Sequence, residues 1–161
     1  MVVSDKTIST LNYRIQQEEQ SVRIYRAMAV WLEFKGYSGA AKLYKQYSSE
    51  EANHADWAYQ YLLDLNVQPI VPELVQPTLD FKGLPQVLAL TLKHELEVTD
   101  QCIALARLVQ EEGDYMTLEL AQKYLKEQAD ELKKAQYWID RLNLFGTDPI
   151  ALHILDEEMG G

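Results

Sequence analysis

The positions of glycine and proline constrain the fold more than any other feature of this 161-residue sequence. The seven glycines and five prolines fall into a few clusters and leave four long stretches without a helix breaker. The first stretch begins between residues 4 and 10 and ends near 35, and the second runs from 38 to about 66. The third runs from 84 or 85 to about 112, and the fourth from 114 to about 144. They predict four helices of roughly 28 to 30 residues, each about 42 to 45 Å long.

Two of the three connections between these helices are short. The first lies at 36–39, where Ser38 is the predicted N-cap of the second helix, and the other lies at Gly113 and Asp114, where Asp114 is the predicted N-cap of the fourth. Short turns make neighbouring helices antiparallel. The sequence therefore predicts two helical hairpins.

The connection between the hairpins is long and extended. Residues 67–83 hold three prolines and cannot form a helix, but 17 extended residues can span up to about 56 Å and so cross the whole bundle. Asp148 and Pro149 then open a short fifth helix that ends near Met159. We expect an all-α chain, with one four-helix-bundle domain over 1–161, a long crossover between the second and third helices, and a short C-terminal helix.

Each long helix carries polar residues in the middle of an otherwise apolar face. In chain order they are Glu18, Glu51, His54, Glu95, Gln128 and Glu131. Any one of them alone could reflect a wrong helical register that leaves the acid in solvent.

The spacing of these residues favours burial of the whole set. Glu18 and Glu51 are 33 residues apart and centred on the first turn, and Glu95 and Gln128 are 33 apart and centred on the second. An offset of 77 residues relates Glu18 to Glu95, and the same offset relates Glu51 to Gln128. Independent register errors do not agree in this way, so we expect the set to lie together near mid-bundle.

Buried carboxylates at this density need a compensating cation. No lysine or arginine lies at the centres of the four apolar faces as we align them. Four glutamates carry four negative charges, which two divalent ions neutralise, and His54 adds one neutral nitrogen ligand. Oxygen-rich ligation with one imidazole suits iron or manganese better than magnesium, and zinc or copper could still bind competitively. Glu51 is the natural bridge between the two ions. Because Gln128 is uncharged, we expect weaker metal binding at the second position.

Composition limits the partners. The sequence has 25 acidic against 15 basic residues, a net charge of −10 that disfavours nucleic acid or an anionic membrane. The single cysteine, Cys102, excludes an internal disulfide and a thiolate zinc site. No apolar run is long enough to span a membrane and the first residues lack a signal-peptide pattern, so we expect a cytoplasmic protein.

The sequence resembles the ferritin family, specifically its bacterial non-haem members. The similarity covers nearly the whole chain. The residues that carry it are Leu11, Asn12, Glu18, Tyr25, the run Glu50 to His54, Lys93 to Glu95, and the run Tyr124 to Glu131.

The resemblance implies a two-iron ferroxidase centre. Glu18, Glu51 and His54 would hold the first iron, and Glu51 would bridge to a second iron held by Glu95 and Glu131. The implied reaction is oxidation of two Fe(II) ions by O2.

Two further residues have roles implied by the same resemblance. Gln128 would lie beside both ions, and Tyr25 would be the nearby aromatic residue that can supply an electron. Tyr25 could equally be a core tyrosine whose hydroxyl is hydrogen-bonded.

Similar bacterial ferritins have a third iron position. Its counterparts here are Glu50, Glu127, Asp130 and the shared Glu131. The first three of these acids could instead form a solvated acidic face.

Two departures from the related haem-binding ferritins inform the expected function. Ala52 stands where those proteins carry a haem-ligating methionine, so we expect no haem. The fourth helix ends its polar run with Glu131 and lacks the Glu-x-x-His pattern. Transit of iron through the centre is therefore expected in preference to a permanently bound pair.

We expect an iron-storage and iron-detoxifying ferroxidase that assembles, as ferritins do, into a homo-oligomeric shell of 24 subunits around a ferric mineral. One alternative is a small di-iron or di-manganese oxidoreductase acting on an organic substrate or peroxide, since such enzymes use the same bundle. Another is a metal-free helical interaction module, which would leave the four buried acids uncompensated.

Overall fold

A computed structural model describes residues 3–161, which form five helices and no strand. Met1 and Val2, the first residues of the predicted domain, lie outside this range. The helices are α1 (Asp5–Phe34), α2 (Ser38–Asp64), α3 (Leu84–Glu111), α4 (Tyr115–Phe145) and α5 (Pro149–Gly160). The predicted all-α class, with four long helices and a short fifth, is confirmed.

Side-chain caps mark where α1, α4 and α5 begin. The Ser4 hydroxyl accepts a hydrogen bond from the backbone N–H of Thr7 at 3.0 Å, and the Asp114 carboxylate accepts one from Thr117 at 3.0 Å. Each bond satisfies a backbone donor that has no partner within the helix. Gly113 follows α3 with φ of 70°, a left-handed conformation that glycine adopts without strain.

The start of α2 differs from the prediction. Ser38 is the first helical residue, and Tyr37, which precedes it, makes no side-chain cap. The Asp156 carboxylate on α5 instead accepts a hydrogen bond from the Ala40 backbone N–H at 2.8 Å. The predicted capping role of Ser38 is therefore wrong, because an acid 116 residues away along the chain takes it.

The crossover at 65–83 sets the order of the helices. It lies along α1, where Asn12 Oδ1 accepts a hydrogen bond from the Ile70 backbone at 2.9 Å and Gln20 makes two with the Val75 backbone. Because the crossover follows α1 towards the α1 C-terminus, α3 starts at that end and runs antiparallel to α1. The bundle therefore consists of two antiparallel hairpins, α1 with α2 and α3 with α4, joined by the predicted long connection.

Two apolar clusters occupy the two ends of the bundle. One includes Trp31, Leu32 and Leu88 and extends to α5, and the other includes Leu11, Leu62 and Leu105. The central polar residues of the four long helices lie between these clusters. Among the described residues, no helix is both long and apolar enough to cross a membrane.

Candidate metal centre

The polar residues predicted at the bundle centre are all buried. Their relative exposure lies between 1 and 5%. They are Glu18 on α1, Glu51 and His54 on α2, Glu95 on α3, and Gln128 and Glu131 on α4.

These side chains form two possible metal-binding groups that share one carboxylate. The first consists of Glu18, Glu51 and His54, and the second of Glu51, Glu95 and Glu131. Within each group the potential ligand atoms lie within 4.8 Å of one another. Glu51 therefore belongs to both groups.

Unpartnered oxygens show that the centre suits a cation. Glu18 Oε2 and Glu131 Oε1 are buried and accept no hydrogen bond. A buried carboxylate oxygen without a partner is costly unless a positive charge compensates it. Carboxylate oxygens with a single imidazole suit iron or manganese, so the donor set fits the expected metal.

The crowded carboxylates change each other's protonation. Burial raises the pKa of Glu51 well above its ordinary value, and the adjacent Glu18 carboxylate raises it further. Burial and the neighbouring Glu95 raise the pKa of Glu131 to about 8. Burial disfavours the charged form of Glu18, but the adjacent Glu51 and Arg14 outweigh this effect and lower the pKa of Glu18. In the metal-free centre, protons therefore compensate part of the negative charge.

Gln128 orients one of the central carboxylates. Its amide Nε2 donates hydrogen bonds to Glu95 Oε2 at 3.0 Å and to Thr99 Oγ1 at 3.1 Å. The predicted pairing of Gln128 with Glu95 across the second hairpin is therefore present. Because the amide is uncharged, it holds Glu95 without adding a fifth negative charge.

Tyr25 contacts the centre directly. Its ring is buried, and its hydroxyl donates a hydrogen bond to Glu95. Burial and the charge of Glu95 raise the pKa of the Tyr25 phenol well above its ordinary value, so the proton remains on the oxygen. The rings of Tyr44 and Tyr47 pack edge-on against it, with centroids 5.8 and 5.7 Å away.

The acids expected at a third position are only partly brought together. Glu50 and Glu131 face the Lys134 ammonium, at 3.8 and 3.5 Å, and Glu127 Oε1 lies 3.4 Å from His54 Nε2. Asp130 is exposed.

Arg14 is the residue at the centre that the sequence interpretation missed. Its side chain is fully buried, its guanidinium forms an ion pair with Glu18, and Nη1 donates to Gln101 Oε1 at 2.6 Å. Arginine and lysine are absent from the central positions of the aligned apolar faces, but the Arg14 guanidinium nevertheless reaches the centre. Steps of three and four from Leu11 also pass through Arg14 to Glu18, so this alternative path along α1 was the available signal.

Sequence comparison places this arrangement among known proteins. The ferritin family, through its ferritin-like domain, matches residues 8–145. A probable bacterial non-heme ferritin-like protein of Haemophilus influenzae is 28% identical over 99% of this chain and 96% of its own length. A bacterial non-heme ferritin of Escherichia coli is also 28% identical, over 98% of this chain and 96% of its own length.

The fold agrees with that match. An open pore ferritin from Archaeoglobus fulgidus superposes with a TM-score of 0.96 at 25% identity, covering 99% of this chain and 98% of that one. An engineered closed form of the A. fulgidus ferritin superposes with a TM-score of 0.94. With its sequence match over residues 8–145 and its carboxylate-lined bundle, this chain belongs to the ferritin family and is similar to the bacterial non-haem ferritins.

Proposed function

We propose that this chain oxidises Fe(II) with O2 at the bundle centre and stores the Fe(III) as a mineral inside a homo-oligomeric shell. The observation that carries this proposal is the pair of ligand groups sharing Glu51. Both iron ions are substrates here, because they are oxidised and passed on.

Each side chain has a definite part in the proposed reaction. Glu18 and His54 bind one ion, Glu95 and Glu131 bind the other, and Glu51 bridges them. Two adjacent ions can deliver two electrons to one O2 together, which avoids a one-electron product. Tyr25 holds Glu95 through its hydroxyl and is the closest candidate for a further electron donor.

The space beside the centre favours a small oxidant over an organic substrate. The cavity that touches Glu95 and Glu131 has a volume of about 10 Å³, and buried tyrosines line much of it. That volume holds about one water molecule. A diatomic gas matches this size, whereas the organic substrate of an alternative di-iron oxidoreductase does not.

Exposed apolar side chains support self-assembly. Val30, Phe34, Val75 and Leu79 are each more than half exposed and line a groove of about 620 Å³ between α1 and the crossover. Apolar patches of this kind are typical of interaction surfaces. We take a second copy of the chain as the partner and, by resemblance to ferritins, a 24-subunit shell as the assembly.

The proposed chemistry is tested by mixing the metal-free protein with Fe(II) in aerobic buffer and following Fe(III) absorbance by stopped flow. Glu51→Gln removes the charge of the bridge with little change in shape, and His54→Ala removes the only nitrogen ligand of the two groups. We expect each substitution to slow the rapid phase at least about tenfold.

Glu119→Gln is the matched control, because Glu119 is exposed on α4. We expect its rate to equal that of the wild type. Wild-type rates in both Glu51→Gln and His54→Ala would contradict the proposed centre.

A further inference from the structure

Lys134 lies at the solvent side of the centre and is surrounded by acids. Its Nζ lies 3.5 Å from Glu131 Oε1 and 3.8 Å from Glu50 Oε2, and the side chain is 44% exposed. A lysine ammonium carries a positive charge at neutral pH, and here it faces two carboxylates.

The two oxygens that face Lys134 have no hydrogen-bond partner. Glu131 Oε1 and Glu50 Oε2 are buried atoms, although Glu50 as a side chain is 43% exposed. The ammonium faces both at distances longer than a good hydrogen bond. These oxygens thus point at a position suited to a cation that binds them more closely than the lysine does.

Lys134 also borders the inside of the centre. It lines the small cavity that Glu95 and Glu131 share with the tyrosines. Glu131 therefore belongs to the second possible metal-binding group and also faces the lysine. A lysine at this place has a flexible four-carbon stem and can swing into solvent.

We propose that the Lys134 ammonium is a tethered cation that occupies the position between Glu50 and Glu131, and that a third metal ion binds there only by displacing it. This inference rests on the proposed function, because the position adjoins the two-metal centre. Lys134 is a positioning residue, since it touches Glu131 and no reacting atom.

The tethered cation would have two consequences for metal binding. It lowers the affinity of the third position, since an ammonium close to a divalent ion repels it and also competes for the same oxygens. It leaves the two-metal groups available, because the side chain reaches only the Glu131 end of the centre. Metal leaving the centre past Glu131 would have to move Lys134 aside.

The test compares Fe(II) binding by the metal-free protein under anaerobic conditions, using titration calorimetry. Crystals soaked anaerobically in Fe(II) are then examined for anomalous scattering at the iron edge. The variant is Lys134→Met, which keeps a linear side chain without the charge. Lys133→Met is the matched control, because Lys133 is the exposed neighbour on α4. Lys134→Arg keeps the charge, and circular dichroism checks that all variants are folded.

We expect the wild type to fill two positions tightly and the third weakly. In Lys134→Met, the affinity for the third ion should rise at least about tenfold. The new anomalous peak should lie between residues 50 and 131. Lys133→Met and Lys134→Arg should both resemble the wild type.

The proposal is overturned if Lys134→Met fills its first two positions but binds the third ion no more tightly than the wild type. It is also overturned if Lys133→Met raises that affinity equally, since the effect would then be one of net charge. Failure of the wild type to bind any Fe(II) pair at the centre would be a different result, because it would contradict the proposed function itself.

Discussion

The ion pair between Arg14 and Glu18 changes the charge balance of the centre. The guanidinium contacts Glu18 Oε1 and leaves Oε2 without a hydrogen bond, so a single oxygen of Glu18 is free for a metal. Arg14 also lies 5.5 Å from the centre of the Tyr124 ring. The Arg14 guanidinium therefore stabilises the metal-free centre. Because it neutralises part of the negative charge, it also weakens the affinity of the centre for a metal ion.

Replacing Arg14 should weaken the metal-free protein and strengthen metal binding. In Arg14→Gln, the buried Glu18 loses its charged partner, which can lower the free energy of unfolding by up to about 4 kcal/mol. Zn²⁺, a redox-inert probe of oxygen and nitrogen ligands, should bind about tenfold more tightly. Thermal unfolding in chelator and Zn²⁺ titration calorimetry measure the two effects.

Arg141→Gln is the control for this prediction. Arg141 pairs with Glu158 at 2.8 Å, but both side chains are partly exposed. Ion pairs in contact with solvent contribute little, so we expect neither stability nor Zn²⁺ affinity to change appreciably. Equal effects of the two substitutions would contradict the role given to Arg14.

The raised pKa values of the carboxyl groups make the stability of the metal-free protein depend on pH. Glu131 has an ordinary value near 4.5 and a pKa of about 8 in the folded state, so between these pH values the folded protein binds more protons than the unfolded chain. Stability must then fall as the pH rises through this window, and the raised pKa of Glu51 acts in the same direction.

We therefore expect a lower midpoint of thermal unfolding at pH 8 than at pH 6 when the protein is kept in chelator. Glu131→Gln should show a smaller decrease, because the amide does not titrate. A midpoint that changes equally in the two proteins would show that Glu131 does not cause the dependence.

The buried polar cluster could be predicted from the sequence, but the contacts of Lys134 could not. Polar residues interrupt the apolar helix faces at related spacings, and this pattern predicts that they lie together. These residues are Glu18, Glu51, Glu95 and Gln128. Lys134 follows Glu131 by three positions, and its contacts depend on where a long flexible stem points. Spacing along a helix does not determine that direction.

At the scale of helices, α5 is held against the start of α2 by backbone contact. A Cβ atom on Gly39 would lie 2.0 Å from the Asp156 carbonyl oxygen, and one on Gly160 would lie 2.7 Å from Gly39 Cα. This close approach also brings the Asp156 carboxylate to the Ala40 N–H. Glycine is required at both positions because the backbones touch.

Gly39→Ala should partly detach α5. Relieving the clash requires the helices to separate, at a cost of about 1–3 kcal/mol. The expected result is faster hydrogen exchange in α5 with exchange at the bundle centre unchanged.

Gly83→Ala is the control for this substitution, because a Cβ there meets only Pro85 Cδ, at 3.5 Å, and its φ of 168° is ordinary extended backbone. We expect no change in the exchange of α5 in this variant. If α5 in Gly39→Ala exchanged as slowly as in the wild type, the close packing of α5 against α2 would be contradicted.

Helix bounds were predictable because their causes are local. Glycine turns, the prolines of the crossover and the Asp114 and Asp148 caps all act within a few residues of a helix end. The α2 cap was not predictable, since Asp156 reaches it only after the bundle has folded. The extended crossover itself was expected from its prolines.

At the scale of the whole molecule, the exposed apolar groove along α1 bears on assembly. Phe34 is 84% exposed and Val75 is 74% exposed, which is unfavourable for an isolated chain. We expect the metal-free protein to have a molar mass near 446 kDa by light scattering, the value for 24 chains of 18.6 kDa. The mass of one or two chains would contradict the shell.

The amount of iron retained after aerobic loading tests the storage function most directly. Fe(II) is added in excess to the metal-free protein in air, the protein is separated from free iron by gel filtration, and iron and protein are then measured. Storage predicts a ratio far above the two or three ions per chain that the centre and the Lys134 position could hold. A ratio that stays at or below that number, however much iron is supplied, would contradict storage and favour a di-iron oxidoreductase.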